Sequence, residues 1–185
     1  MEFKKGSVTV IDDIFTPQDC EEIIKYYNDN IENTTYRTDY RNMRFYEVVD
    51  HMTQKPNGEY DRSISSKVLK WMDYRYRIQR AHLERRHPGS YMNWHLDSAF
   101  DQTVFTSVTY LNEEYDGGHT IIRPPGDDTD KHNIEIIPRV GRTVFFHGAY
   151  HNHCVTEVSG GERYTMPIWY MYMPPDLPEK HKWWL

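Results

Sequence analysis

The stretch HCVTEVSGGERYTMPIWYMYM, His153 to Met173, sets two runs rich in β-branched and aromatic residues on either side of Gly160-Gly161. That pattern predicts two strands joined at a turn, one opened by a histidine and the other by an arginine. Five runs of the same kind precede it: RYRIQRAHLE from Arg75, QTVFTSVTYLN from Gln102, HTIIRP from His119, NIEIIP from Asn133 and RTVFFHG from Arg142. Turn residues separate them at Pro88-Gly89, Asp116-Gly117-Gly118, Pro124-Pro125-Gly126 and Pro138 to Gly141. Many short strands at this spacing predict an antiparallel sandwich or jelly roll.

The N-terminal part reads differently. Val8 to Ile11 has the composition of a first strand. Thr16 then stands as a helix N-cap, with Pro17 at the first helical position and Asp19 in the first turn. There the missing N–H of proline costs nothing, and a carboxylate meets exposed amides. This helix is expected to end near Tyr27. Residues 30–62 form a polar and aromatic excursion with one strand inside it, in MRFYEVV from Met43, and their length suits a lid. Within SISSKVLKWM, Ile64, Val68, Trp71 and Met72 recur at helical spacing and predict a second helix. The expected fold class is mainly β: a double-stranded β-helix, or jelly roll, with two or more N-terminal helices packed on one sheet.

A chain of 185 residues, 38% hydrophobic and 15% aromatic, suits one domain with one packed core. The expected division is helical and strand support over 1–75, jelly-roll core over 76–173, and a tail over 174–185 that serves as a cover or an interaction segment. No run of 18 apolar residues predicts a membrane span. The opening MEFKKGSVTVIDD has no apolar core of a signal peptide, and Cys20 and Cys154 are too few for a disulfide framework. The expected location is cytoplasmic. A net charge of −6 disfavours a nucleic-acid partner.

Trp94 to Phe100, WHLDSAF, contains His95-Leu96-Asp97. With 10 His and 28 acidic residues in the chain, about one or two His-x-acid triplets arise by chance. His82-Leu83-Glu84 is a second one, so spacing alone proves nothing. Alternation along a strand would put His95 and Asp97 on one face. His147, His151 and His153 are candidates for a third ligand. Arg163 follows His153 by ten residues, which places the two on adjacent strands at one barrel mouth. Two histidines and an aspartate form the facial triad that leaves open positions on non-haem Fe(II). A nearby guanidinium suits a bidentate grip on a carboxylate.

Taken in order, these motifs resemble the Fe(II)/2-oxoglutarate-dependent oxygenases, specifically the prolyl 4-hydroxylase-like branch, over roughly residues 80–172. HPGSYMNWHLD resembles the family's Pro-Gly turn, aromatic and His-x-Asp. VTYLNEEYDGGHTII is similar to its Tyr-Leu-Asn strand followed by Gly-Gly, and IIPRVGRTVFF to its Pro-x-x-Gly approach to a buried strand. HCVTEVSGGERYTMPIWY resembles its His…Val…Val…Gly…Arg-Tyr…Trp run, and residues 8–27 its strand-plus-helix opening. The resemblance implies His95, Asp97 and His153 as iron ligands. It implies Arg163 and Tyr110 as partners of the distal carboxylate of 2-oxoglutarate. O₂ would be consumed, succinate and CO₂ released, with ascorbate as an accessory reductant. The implied reaction is hydroxylation of an unactivated C–H bond, on a prolyl residue of a peptide or protein. Collagen-type prolyl hydroxylases carry lysine at the place of Arg163, so this chain resembles the arginine-using subset. Arg86 departs from the pattern. It stands where relatives often have tyrosine, and brings a second positive charge near the pocket.

Other readings remain open at this stage. His151 has the strand parity of His153 and rivals it as a ligand, while His147 reads as a core or pocket-lining residue. His82 and Glu84 read as a solvated strand face, Trp169, Tyr164 and Tyr170 as strand aromatics, and Cys154 as inert. Arg163 also has a structural reading, as half of an ion pair. A free small molecule or amino acid is the alternative substrate. A zinc hydrolase and a non-catalytic jelly-roll binding module are the alternatives of other classes; neither gives Arg163 a role. Substrate choice is expected to lie in residues 30–62 and the loop 98–104, and oligomeric state is not readable.

Overall fold

Helix α1 (Pro17–Asp29) starts where the sequence marks it. The Asp19 N–H donates to the Thr16 hydroxyl at 3.2 Å, and the Thr16 N–H donates to the Asp19 carboxylate at 2.8 Å. Two amides at the helix start are thereby satisfied reciprocally. Cys20, Ile23 and Tyr27 fall on one face and are buried. This is the only α-helix among the residues that the computed structural model describes, which are 7–48, 76–97, 103–127 and 129–172. The helix expected over 63–72 and the tail from 174 lie outside them.

Before α1 runs β1 (Thr9–Ile11), and after it come β2 (Thr35–Arg37) and β3 (Met43–Glu47). The chain continues through β4 (Tyr76–Arg86), β5 (Met92–His95), β6 (Thr103–Tyr110) and β7 (Asp116–Gly117). Next are β8 (Thr120–Ile122), β9 (Ile134–Ile136) and β10 (Thr143–Phe146). The last strands are β11 (His153–Val155), β12 (Val158–Ser159) and β13 (Arg163–Tyr172).

They form a seven-stranded sheet in the order β1-β10-β6-β13-β4-β3-β2 and a four-stranded sheet in the order β5-β11-β8-β9, with β7 and β12 paired apart. All pairings are antiparallel. The fold is the expected mainly β jelly roll. One face of the large sheet presents Ala81, Leu83, Phe105, Phe145, Met166 and Ile168, and α1 packs in the same apolar cluster. From the other face Tyr110, Val144 and Phe146 meet Ile122 and Ile136 of the small sheet in a second cluster. The space between the sheets is thus sealed by apolar residues at one side of the site described below.

Two expectations change here. The excursion at 30–62 is not a free lid in its described part: β2 and β3 form a hairpin that extends the edge of the large sheet, with Phe45 opposite Glu84 and Glu47 opposite His82. The reason is that the alternation in Met43–Glu47 finds an unpaired edge of β4. Residues 49–62 lie outside the described ones. Secondly, His82 and Glu84 are not a solvated face. They are 2% and 7% exposed, because His82 packs against Phe45 of β3 and Trp169 of β13 and Glu84 pairs with the buried Arg86.

Candidate active site

His95 ends β5 and His153 begins β11, and the two are direct partners in the antiparallel register. Directly opposite residues share a sheet face, so the imidazoles meet, with ring centroids 4.2 Å apart. Asp97 lies beyond the end of β5, so strand alternation does not place it. Its backbone N–H donates to the Gly148 carbonyl at 2.9 Å, and the Thr106 hydroxyl of β6 donates to its Oδ2 at 2.6 Å. Nothing in the sequence around Gly148 marks it as part of the site. A Cβ there would stand 2.2 Å from Thr106 Oγ1 and 2.5 Å from Asp97 Oδ2, so the close approach that holds the carboxylate needs glycine.

One ligand atom from each of His95, Asp97 and His153 lies within 4.8 Å of the others. His95 Nε2 is 3.6 Å from Asp97 Oδ1 and His153 Nε2 is 3.6 Å from Asp97 Oδ2. Such spacing approaches that of atoms sharing one ion at about 2.0–2.2 Å each. The outer nitrogens are fixed by backbone: Nδ1 of His95 faces the Asn93 carbonyl at 2.8 Å, and Nδ1 of His153 faces the His151 carbonyl at 2.9 Å. An Nδ1–H donated to a carbonyl leaves the Nε2 lone pair for a metal, so the tautomers suit ligation.

The charges agree. Burial pulls the His153 pKa down, which keeps that imidazole neutral. Burial also opposes ionisation of Asp97, but the neighbouring His153 and His95 and the Thr106 hydroxyl outweigh it and hold the carboxyl far below its ordinary range. At His95 burial lowers the pKa, and Asp97 with the Asn93 carbonyl more than offsets it, so the net shift is upward. His151 stands outside the cluster. It is 1% exposed, with Nδ1 at 3.1 Å from the His147 carbonyl and its ring edge-on to Phe146. His147 packs against Phe105, the core position read for it.

On the large sheet, at the start of β13, lies Arg163, 2% exposed. Its Nε donates to the Gly118 carbonyl at 2.9 Å and its Nη1 to Thr165 Oγ1 at 3.1 Å, and its guanidinium sits 5.3 Å from the Tyr110 ring centroid. Gly118 has φ +62, and a Cβ there would meet Arg163 Cδ at 2.8 Å. The Gly-Gly turn therefore exists in part to seat the arginine. Tyr110 is fully buried, and its hydroxyl donates to Thr120 Oγ1 at 2.6 Å. Arg86 is partnered with Arg163 across β4 and β13 and is likewise buried.

A sequence model of the 2OG-Fe(II) oxygenase superfamily matches residues 79–171. The chain belongs to that superfamily. Dependence on Fe(II), 2-oxoglutarate and O₂ follows from membership in the 2OG-Fe(II) oxygenases. A prolyl-4-hydroxylase of Pseudomonas putida superposes with a TM-score of 0.69 at 17% identity, covering 92% of this chain and 94% of its own. A Trichoplax adhaerens prolyl hydroxylase, solved with a peptide fragment of the hypoxia inducible factor oxygen degradation domain, gives 0.69 at 16%, covering 90% and 84%. The carbocyclase SnoK of nogalamycin biosynthesis gives 0.65 at 12%, covering 96% and 85%. No curated protein sequence matches the chain. At these identities the structures establish the fold of this 2OG-Fe(II) oxygenase. Its donor set of two imidazoles and one carboxylate is the set expected for such an iron.

Proposed function

We propose that the protein hydroxylates a prolyl residue of a peptide or protein, with iron held by His95, Asp97 and His153 and the distal carboxylate of 2-oxoglutarate held by Arg163 and Tyr110. The observation that carries this reading is the convergence of three ligand atoms within 4.8 Å, with Asp97 bonded to Thr106 on the large-sheet strand whose Tyr110 lies against the buried Arg163. When bound, iron and 2-oxoglutarate supply the oxidation: O₂ is consumed and the 2-oxo acid is converted to succinate and CO₂. The chain's own residues orient and shield. Thr106 aims the Asp97 carboxylate, Phe146 lies edge-on to His153 with centroids 4.8 Å apart, and the apolar cluster of Tyr110, Ile122, Val144 and Phe146 excludes water.

The prolyl substrate is supported by two things. Trp169 is the register partner of Thr106, which puts an aromatic side chain on the row that leads to the metal ligands, a wall suited to a saturated ring. Two of the similar structures are prolyl hydroxylases, one of them solved with a peptide. A small-molecule substrate is the second reading, favoured by the likeness to a carbocyclase. The single-domain organisation, a cytoplasmic location and ascorbate as accessory reductant belong to the proposal as well.

The test is succinate release by the iron-loaded protein over a panel of proline peptides and free amino acids, with mass spectrometry of the products. A gain of one oxygen on proline is expected. Turnover of free amino acids with unmodified peptides would establish the small-molecule reading. Tight zinc binding with no affinity for 2-oxoglutarate would return the hydrolase.

A further inference from the structure

Arg86 has no assigned work in the site as described. It is 3% exposed and lies directly opposite Arg163 in the β4–β13 register. Opposite residues of an antiparallel pair share a face with adjacent Cβ atoms, so two guanidinium groups are buried side by side. One carboxylate serves Arg86: its Nη2 donates to Glu84 Oε2 at 3.3 Å. Glu84 is shared, because its Oε1 lies 3.5 Å from His82 Nδ1. Nε and Nη1 of Arg86 have no hydrogen-bond partner among the described residues. A buried cation with idle donors is costly unless an anion completes it.

We propose that Arg86 is a second anchor for the distal carboxylate of the 2-oxo acid, making the seat a two-arginine clamp, with Glu84 as the counter-charge when no ligand is bound. The inference rests on the reading of Arg163 as the first anchor. It extends that reading to specificity: a pair of buried guanidiniums selects 2-oxo acids with a second carboxylate and disfavours those with an apolar tail, which would leave the two cations with Glu84 as their one shared counter-charge. Glu84 competes with the ligand for Arg86, so the clamp is weakened by its own counter-ion.

Binding reads this without turnover. The Mn(II)-loaded protein is titrated calorimetrically with 2-oxoglutarate and with 2-oxopentanoate, which lacks the distal carboxylate. Arg86→Gln is expected to weaken 2-oxoglutarate about 10- to 100-fold and to leave 2-oxopentanoate within about twofold. Arg86→Lys should recover part of the loss. Glu84→Gln, which keeps Arg86, should tighten 2-oxoglutarate and leave the monoacid alone. If Arg86→Gln lowers the thermal midpoint while the ratio of the two affinities stays at the wild-type value, Arg86 is half of a structural ion pair and the proposal falls. Should Arg86→Gln not fold, Glu84→Gln decides alone: unchanged or weaker 2-oxoglutarate binding overturns the clamp. A wild-type protein that binds neither acid overturns the reading of Arg163 along with it. One that binds 2-oxoglutarate with no preference over 2-oxopentanoate overturns both the clamp and Arg163 as its first anchor, whereas an Arg86→Gln ratio equal to the wild type overturns the clamp alone.

Discussion

The two faces of β4 are made by alternate residues of one strand and have opposite characters. Ala81 and Leu83 point to the α1 side and join the large apolar cluster. Arg80, His82, Glu84 and Arg86 point to the opposite face, where His82 meets Glu47 at 2.8 Å and Glu84 meets Arg86 at 3.3 Å. The first face holds the molecule together, and the second carries charge toward the site. The lesson is that alternation fixes which residues go together, whereas it does not fix which side is wet.

The sharpest test of this division is on the metal side. His153→Ala should weaken Mn(II) binding more than about 100-fold, beyond the roughly 10- to 100-fold loss usual when a hydrogen-bond partner of a ligand is changed; His151→Ala should keep most of it, and calorimetry of both variants decides. Equal losses would mean that the ligand set is not the one the geometry draws. Ile168→Ala attacks the opposite face, and should cost about 2–5 kcal/mol of stability. Denaturant unfolding measures that cost, and metal affinity at low temperature should be unchanged. A shift in metal affinity would show that the two faces are not independent.

Gly148→Ala sharpens the comparison at the junction of the sheets. Its Cβ would collide with Thr106 Oγ1, so the Asp97 carboxylate must turn away, and Mn(II) affinity should fall about 10- to 100-fold with little loss of fold. Tyr110→Phe is milder. It removes one neutral hydrogen bond and should cost about 0.5–1.5 kcal/mol in 2-oxoglutarate binding, by the same titration.

The smallest effect is a pH slope from the charged face. Burial lowers the His82 pKa, but the hydrogen bonds and charges of Glu47 and Glu84 raise it overall above the ordinary 6.5. Its contribution is therefore complete below 6.5 and is lost as pH rises through the raised value. Burial raises Glu84, yet Arg86, His82 and Arg163 bring it below the ordinary 4.5; that contribution is present above 4.5 and is lost as pH falls through the lowered value. The thermal midpoint should decline shallowly on both sides of a plateau between 4.5 and 6.5. In His82→Gln the alkaline decline should shrink.

Much of this was legible in the chain. The Thr16–Asp19 cap, the seven runs from Arg75 to Met173 and the order of His95, Asp97, His153 and Arg163 all appear in the sequence, because caps, alternation and turns are local. Three things were not. The burial of His82 and Glu84 depends on neighbours brought from β3 and β13, Phe45 and Trp169 against His82 among them, and polar alternation looks the same in water. Asp97 is positioned by Gly148 and Thr106, contacts made only after the sheets close. The only local sign of Gly148 is a glycine directly after His147, ordinary in a turn. The pairing of β3 with β4 depends on an open edge far along the chain.

The place of β13 has a further consequence, for the order in which the protein folds. It is the last strand in chain order among the described residues, yet it lies in the middle of the large sheet, hydrogen-bonded to β6 on one side and β4 on the other. During synthesis β4 and β6 must wait, each with one edge open, until residues 163–172 have left the ribosome. Pairings so remote in sequence form slowly, and open strand edges recruit other chains. A chain halted before Arg163 would therefore be more than a protein without its co-substrate anchor: it would be two half-sheets with facing edges, primed to aggregate.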